Sequence, residues 1–289
     1  MLAVFLGIAT ALVYGFADFF GAVASRRHRP VLVAGLAGWV GLAGLLLFTG
    51  VGLLHANYSA VSIQYGLLGG VFSAFGLACL YQALAIGPIS ILSPLAAVTG
   101  AIVPAAFGAL VLGERFGSTA WLAIALVLVA IVLVAYHPEG HTAPRPTTRG
   151  LLYGLGAGAG IGGVLVVLHL APATDGVAAI TLMRLVNASL LGAVLLAQTI
   201  RRRTGVRDFA DITVSMWFTI FATGILDAGA NLLFVFASTL GSLTVVSVLT
   251  SLYPLGTILL ARVVLKERLA LSQGFGIALA LGASVLLAF

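Results

Sequence analysis

Charged residues, cysteines and long polar segments are all scarce in this chain of 289 residues. Only 8% of the residues are charged, against roughly 25% in an average soluble domain, and this excludes a soluble globule. The single cysteine, Cys79, excludes an intramolecular disulfide. What is abundant is apolar: 61% of the residues are hydrophobic and the mean hydropathy is +1.19. Because no segment is long and polar enough to form a soluble domain, the function must reside within a lipid bilayer.

The chain also lacks the residue spacings of common catalytic, metal and nucleotide sites. It contains no zinc-ligand spacing, no Gly-x-Ser-x-Gly elbow, no His-Glu-x-x-His and no phosphate-binding Gly-Lys-Ser/Thr loop. We therefore expect no enzyme, no metal site and no cofactor. Without an ATP site, uphill movement of a solute would have to draw on an ion gradient or on exchange.

Apolar runs of about 20 residues, bounded by charge, proline or polar clusters, predict ten membrane spans. In the first half they lie at 2–24, 31–54, 62–85, 89–112 and 118–136, and in the second half at 150–169, 176–199, 213–238, 242–264 and 270–289. The polar, proline-rich segment 137–149 separates the two sets of five and is typical of a surface linker.

A stretch of the first half recurs, altered, in the second. Ala83-Leu-Ala-Ile-Gly87 corresponds to Ala237-Ser-Thr-Leu-Gly241, and Gly113-Glu-Arg115 corresponds to Lys266-Glu-Arg268. An odd number of spans in each half makes the halves insert with opposite orientations, related by a pseudo-two-fold axis in the membrane plane. We predict an all-α membrane protein of ten transmembrane helices, built as two inverted five-helix repeats at 1–136 and 150–289.

The net charge of +6 comes from basic residues in short connections, without a basic domain that would indicate nucleic acid. Nearly all of these residues fall on alternate connections, and the opposite connections carry only Arg115. By the positive-inside rule, this bias predicts both termini outside and the arginine-rich loops in the cytoplasm. The first span has its basic cluster after the apolar run, the reverse of a cleavable signal peptide, and is expected to be a retained helix.

Several motifs together resemble one family of carriers. They are Tyr14-Gly-Phe-Ala-Asp18, Ala83-Leu-Ala-Ile-Gly-Pro-Ile-Ser90, Leu112-Gly-Glu-Arg115, Leu226-Asp-Ala-Gly-Ala-Asn231 and Ser251-Leu-Tyr-Pro254 through Leu265-Lys-Glu-Arg268. Over essentially the whole chain, this pattern resembles the EamA-type branch of the drug/metabolite transporter superfamily.

The resemblance implies a ten-helix carrier that moves small metabolites or drugs across a bacterial inner membrane, often outward and commonly in exchange for protons. Better-studied members are usually described with both termini in the cytoplasm, whereas the charge bias of this chain predicts the reverse.

Three ionisable residues inside the predicted spans need an explanation: Asp18, Arg184 and Asp227. A charge near the bilayer centre costs about 2.5 to 3.5 kcal/mol on insertion scales, so it is retained when it is paired, hydrated or useful. Arg184 in span seven and Asp227 in span eight lie about 12 to 17 Å from the same membrane face, where they could meet. Asp227 would then accept a proton or a substrate ammonium, with Arg184 as its partner or as a clamp for a substrate carboxylate. The alternative is a static pair that only fixes helix packing.

Each member of this pair has a polar neighbour on its own helical face: Asn187 lies three residues after Arg184, and Asn231 four after Asp227.

Asp18 is expected nearer to an interface, where water or Arg27 would solvate it. Tyr14 precedes Asp18 by one turn on the same face, and the two side chains could line the entrance of a cavity.

Other aromatic and polar side chains in the repeated spans are candidates for contact with a substrate, although such a residue more often forms a helix-to-helix hydrogen bond. They are Tyr81, Gln82, Ser93, Ser247 and Tyr253.

These patterns predict a secondary active transporter that exports small metabolites such as amino acids, or amphiphilic drugs. It would work by alternating access, with protonation of Asp227 or Asp18 changing the favoured side. A passive facilitator or channel is the alternative, and a membrane-embedded enzyme acting on lipid-like substrates is a weaker one. The expected partners are a small-molecule substrate, protons and the lipid bilayer, and no nucleic acid.

Overall fold

The computed structural model describes residues 1–25, 28–86, 89–135, 147–202, 213–264 and 271–288 of the chain. These residues form helices and no strand. The helices are α1 Leu2–Ser25, α2 Pro30–Gly50, α3 Ala60–Ile86, α4 Ile89–Leu110, α5 Ser118–Ala135, α6 Thr148–Leu170, α7 Ala178–Arg202, α8 Val214–Leu240, α9 Leu243–Thr250, α10 Pro254–Val264 and α11 Leu271–Ala288, with a 3-10 turn at Ala173–Asp175 between α6 and α7.

The all-helical membrane fold predicted from the apolar runs is confirmed. Within the described residues, six helices are long and apolar enough to cross a bilayer, namely α1, α2, α3, α6, α7 and α8. Shorter apolar helical segments occur at Leu95–Leu110, Ser118–Leu133, Leu243–Thr257 and Gly274–Leu286. Most predicted boundaries agree within about two residues. The second span is shorter than predicted, since α2 ends at Gly50 and the chain turns at Gly52 with a φ of 78°.

The ninth predicted span, 242–264, is not one helix. It is divided into α9 and α10 by a turn at Ser251–Tyr253. The physical cause is Pro254, which begins α10: its ring disfavours helical geometry at Tyr253 and it has no amide to donate backwards. By contrast, α4 continues as one helix past Pro94 and Pro104.

Glycines let α6 fit between α3 and α4. A Cβ added at Gly158 would lie 2.4 Å from the Ala96 carbonyl oxygen of α4, and one added at Gly160 would lie 2.5 Å from Gly76 Cα of α3. Gly154 and Gly162, which with Gly158 recur at every fourth position of α6, also face α4. Without side chains, these backbones approach closely enough for van der Waals contact to hold helices together in lipid.

Helices of the first half interleave with those of the second. In the first group of contacts α3 packs on α6 and α7, and α4 packs on α6; in the second group α1 packs on α8, α9 and α10, and α2 packs on α8. The pairs α2 with α7 and α5 with α11 complete the bundle. Every one of these contacts joins the two halves, so the space between the halves is lined by both.

Candidate functional site

Arg184 on α7 and Asp227 on α8 form an ion pair, in which Arg184 Nη1 contacts Asp227 Oδ2. The side chain of Arg184 is only 6% exposed, whereas that of Asp227 is 33% exposed. The Nε of Arg184 is buried and has no hydrogen-bond partner among the described residues. The pair therefore presents a partly accessible carboxylate backed by a buried guanidinium, and the positive charge is not free to bind an anion.

Asn231 and Tyr14 connect this pair to α1. Asn231 Nδ2 donates a hydrogen bond of 2.7 Å to the backbone carbonyl of Asp227, one turn earlier on α8. Tyr14 donates its hydroxyl hydrogen to Asn231 Oδ1 over 2.8 Å. Because Asn231 is 2% exposed, burial leaves few alternatives to these two partners. A continuous polar path thus runs from α7 through α8 to α1.

Asn187 is hydrogen-bonded away from the ion pair. Its Nδ2 donates to Ser73 Oγ of α3 over 2.9 Å, and its Oδ1 lies beside Gly38 of α2. Asn187 therefore joins α7 to α3 and is not hydrogen-bonded to the ion pair of Arg184. Ser73 was missed by the sequence reasoning, since a hydroxyl in an apolar span commonly bonds its own backbone and carries little signal.

Asp18 lies one turn beyond Tyr14 on α1. It is exposed, it has no hydrogen-bond or ion-pair partner among the described residues, and its charge interacts electrostatically with that of Asp227. Arg27, its expected solvating partner, lies outside the described residues. Asp18 is therefore an accessible carboxylate beside the Arg184–Asp227 pair.

The turn between α9 and α10 packs against α1 at the level of Tyr14 and Asp18. A Cβ at Gly15 would lie 2.2 Å from the Tyr253 carbonyl oxygen, and Thr257 Oγ1 donates to the Gly15 carbonyl over 3.0 Å. Tyr253 is half-buried and interacts electrostatically with Asp18. The interrupted helix thus borders the polar cluster, as irregular backbone does where it lines a cavity.

The remaining predicted residues have separate positions. Ser247 is buried on α9, and its hydroxyl has no partner among the described residues. Gln82 is exposed on α3 and is not hydrogen-bonded to the cluster. Tyr81 lies on α3 and Ser93 on α4, but their side chains lie outside the described part of the chain.

Asp175, which the sequence reasoning also missed, holds two connections together at one end of the bundle. Its carboxylate accepts hydrogen bonds from Ser59 Oγ, from Ser62 Oγ at 2.6 Å and from Asn57 Nδ2 at 3.0 Å, all near the start of α3. These donors stabilise the charged form, so the hydrogen bond from Ser59 first, and then that from Ser62, lowers the pKa of Asp175 below its ordinary value. The ionisable residues considered from the sequence were those inside the predicted spans, and Asp175 lies in a connection between two spans.

The chain is similar to known proteins in sequence and in fold. The EamA-like transporter family matches residues 1–136 and 148–289. A protein of known crystal structure, 18% identical, superposes with a TM-score of 0.78 and covers 98% of this chain and 95% of its own. An uncharacterized protein from Methanocaldococcus jannaschii is 26% identical over 138 residues, which are 46% of this chain and 96% of that protein.

Proposed function

Since the chain belongs to the EamA-like transporter family, and is therefore a membrane transporter, we propose that it is a secondary active carrier of small molecules that works by alternating access. The cluster of Asp227, Arg184, Asn231, Tyr14 and Asp18 is its substrate and coupling site.

The observation that carries this proposal is the juxtaposition of two carboxylates with one buried arginine. Asp227 is paired with Arg184, while Asp18 is exposed and unpaired among the described residues. Charges inside membrane spans are costly, and such groups commonly mark solute and proton pathways. Asp18 is the carboxylate free to take up a proton or a substrate ammonium in this conformation, and Asp227 becomes free when its pair with Arg184 opens.

Ten membrane helices arranged as two inverted repeats are part of the proposal. The helix contacts support it, because they fall into matching sets when each helix is paired with the one five spans later. Contacts of α3 with α6 and α7 match those of α8 with α1 and α2. The contact of α4 with α6 matches that of α1 with α9 and α10, which together form the ninth span. The contacts of α2 with α7 and of α5 with α11 each join a helix to its own counterpart in the other half. The M. jannaschii relative is about as long as one half, which supports a division into two units, and we place these units at 1–136 and 150–289 with the linker 137–149 between them.

The substrates proposed are amino acids or amphiphilic drugs, moved outward across a bacterial inner membrane in exchange for protons. The amphipathic surroundings support this class: Tyr14, Asn231 and two carboxylates supply polar contacts, and the helices around them are apolar. An ammonium group would contact Asp18, and a carboxylate would need Arg184 released from Asp227.

The test is a flux assay in proteoliposomes with radiolabelled amino acids and cationic drugs, with and without an imposed pH gradient. We expect saturable flux that is driven by the gradient. Asp227→Asn and Asp18→Asn should each reduce this flux by about tenfold or more. Arg115→Gln, an exposed charge change away from the cluster, is the matched control and should leave the flux unchanged. Flux without saturation or gradient dependence, equal in all proteins, would instead identify a facilitator whose Asp and Arg only hold helices together.

A further inference from the structure

Glu114, which follows α4, binds the beginning of α9. Its Oε1 accepts a hydrogen bond of 2.6 Å from the Leu243 amide, and its Oε2 accepts from the Thr244 amide at 3.1 Å and from Thr244 Oγ1 at 2.5 Å. Thr244 Oγ1 is 3.3 Å from the Ala105 carbonyl, so its single hydrogen is directed mainly to Glu114. A carboxylate at this position satisfies amides that have no partner within the helix and complements the positive end of the helix dipole.

The local sequence is built to place this carboxylate. The chain reverses after α4 at Gly113, whose φ of 70° is unfavourable for other residues, and the Glu114 amide bonds back to the Gly108 carbonyl over 3.0 Å. At Gly108 a Cβ would lie 2.3 Å from Glu114 Oε2 and 2.4 Å from Thr244 Oγ1, which leaves no room for a side chain. The turn and the missing side chain together bring Glu114 onto α9.

This contact joins the two halves at one end of the bundle, as Asp175 does. We name this end the Glu114 face and define it by the connections 51–59, 111–117, 171–177 and 241–242. They belong together because one apolar cluster includes side chains beside each of them: Leu54, Phe107, Val177 and Leu243. Two carboxylates, Asp175 and Glu114, each bind the start of a helix and so join the connections of this face.

We propose that Glu114 is the latch of the Glu114 face: its carboxylate holds α9 against α4, and it must release α9 before the central cluster can open to this side. Release needs only the loss of three hydrogen bonds to one carboxylate, so it is a discrete event of the kind that alternating access requires. The need for release during transport rests on the function proposed above, whereas closure of the face by Glu114 does not.

A buried reporter next to the latch can test closure without measuring flux. Ser247 lies one turn after Thr244 on α9, is fully buried, and has no hydrogen-bond partner among the described residues. Ser247→Cys, in a chain whose native cysteine is removed by Cys79→Ala, therefore adds a thiol with little disturbance. A membrane-impermeant maleimide is applied to sealed vesicles of each orientation, and the rate of labelling is measured.

We expect slow labelling in the parent and a rate about tenfold higher or more with Glu114→Gln, only from the side of the Glu114 face, because charge-assisted hydrogen bonds are lost. Thr244→Val removes one of the three bonds and should give a smaller rise. Arg115→Gln changes the neighbouring exposed charge and should leave the rate unchanged.

Equal labelling rates in the parent, Glu114→Gln and Thr244→Val would overturn the proposal. If Glu114→Gln does not fold, Thr244→Val carries the test. Faster labelling together with absent flux in the parent would retain the latch and reject the transport function, so the two failures are distinguishable.

Discussion

Arg184 is a deeply buried charge whose partner Asp227 is partly accessible, with side-chain exposures of 6% and 33%. This asymmetry matters because the two ways of breaking the pair leave different residues unpaired. An unpaired carboxylate at Asp227 can be hydrated, whereas an unpaired guanidinium at Arg184 stays desolvated.

At the residue scale we predict that Asp227→Asn destabilises the protein more than Arg184→Gln does. Asp227→Asn leaves the buried guanidinium of Arg184 without a partner, and removing the partner of a buried charge costs about 3 to 5 kcal/mol. Arg184→Gln leaves the carboxylate of Asp227 unpaired, but this carboxylate is partly accessible and can be hydrated, so the cost should be smaller. Thermal unfolding in detergent would measure the difference. The double variant should be more stable than Asp227→Asn alone, and the opposite order would show that Arg184 does not depend on the pair.

At the element scale, the contact of α6 with α4 depends on the absence of side chains. We predict that Gly158→Ala lowers stability by about 1 to 3 kcal/mol, as overpacking does, because the new Cβ would lie 2.4 Å from the Ala96 carbonyl oxygen. Gly192→Ala in α7 is the control, since a Cβ there meets nothing within 4 Å and alanine favours a helix. Unfolding midpoints in detergent measure both, and equal losses would contradict the packing argument.

At the element scale as well, the hydrogen bonds by which Asp175 joins two connections predict that stability depends on pH. The folded pKa of Asp175 is lowered from its ordinary value of 3.8, so its contribution to stability is complete above that value and is lost as the pH falls through the folded pKa. We expect the stability difference between the native chain and Asp175→Asn to be constant near neutrality and to shrink below about pH 4.

Thermal unfolding of the two proteins in parallel from pH 7 to pH 3 measures this difference, and the other carboxylates act equally in both. A difference that stays constant down to the lowest pH would mean that the hydrogen bonds of Ser59 and Ser62 do not favour the charged form of Asp175.

At the scale of the whole molecule, the asymmetry of charge between the two ends predicts the orientation. Connections of the Glu114 face contain only one basic Lys or Arg residue, Arg115, while the opposite connections carry arginine clusters such as Arg201, Arg202 and Arg203. The positive-inside rule therefore predicts the Glu114 face and both termini outside. Alkaline phosphatase fused to the C-terminus should be active and green fluorescent protein dark, and the reverse pattern would place the latch on the cytoplasmic side.

The amino-acid sequence alone predicted the apolar helices and most of their ends, and it contains the recurrence of a Glu-Arg pair, because these features depend on residues close together in the chain. It also indicated that Arg184 and Asp227 are at similar depth, since the rise of a helix is constant. It did not distinguish Pro254, before which the ninth span is interrupted, from Pro94 and Pro104, which leave α4 continuous, because neighbouring helices decide how the freed backbone is accommodated.

Only the tertiary structure decided which polar groups meet. Tyr14 and Asn231 are 217 residues apart, and Glu114 and Thr244 are 130 apart. Asn187 on α7 bonds Ser73 on α3, and the charge of Asp18 on α1 interacts with that of Asp227 on α8. Composition and periodicity determine that a segment is a membrane helix and how deep each residue lies. Close packing between segments distant in the chain determines how that helix is rotated and which helices are its neighbours. The pattern of a single span describes only one of the two surfaces that pack together.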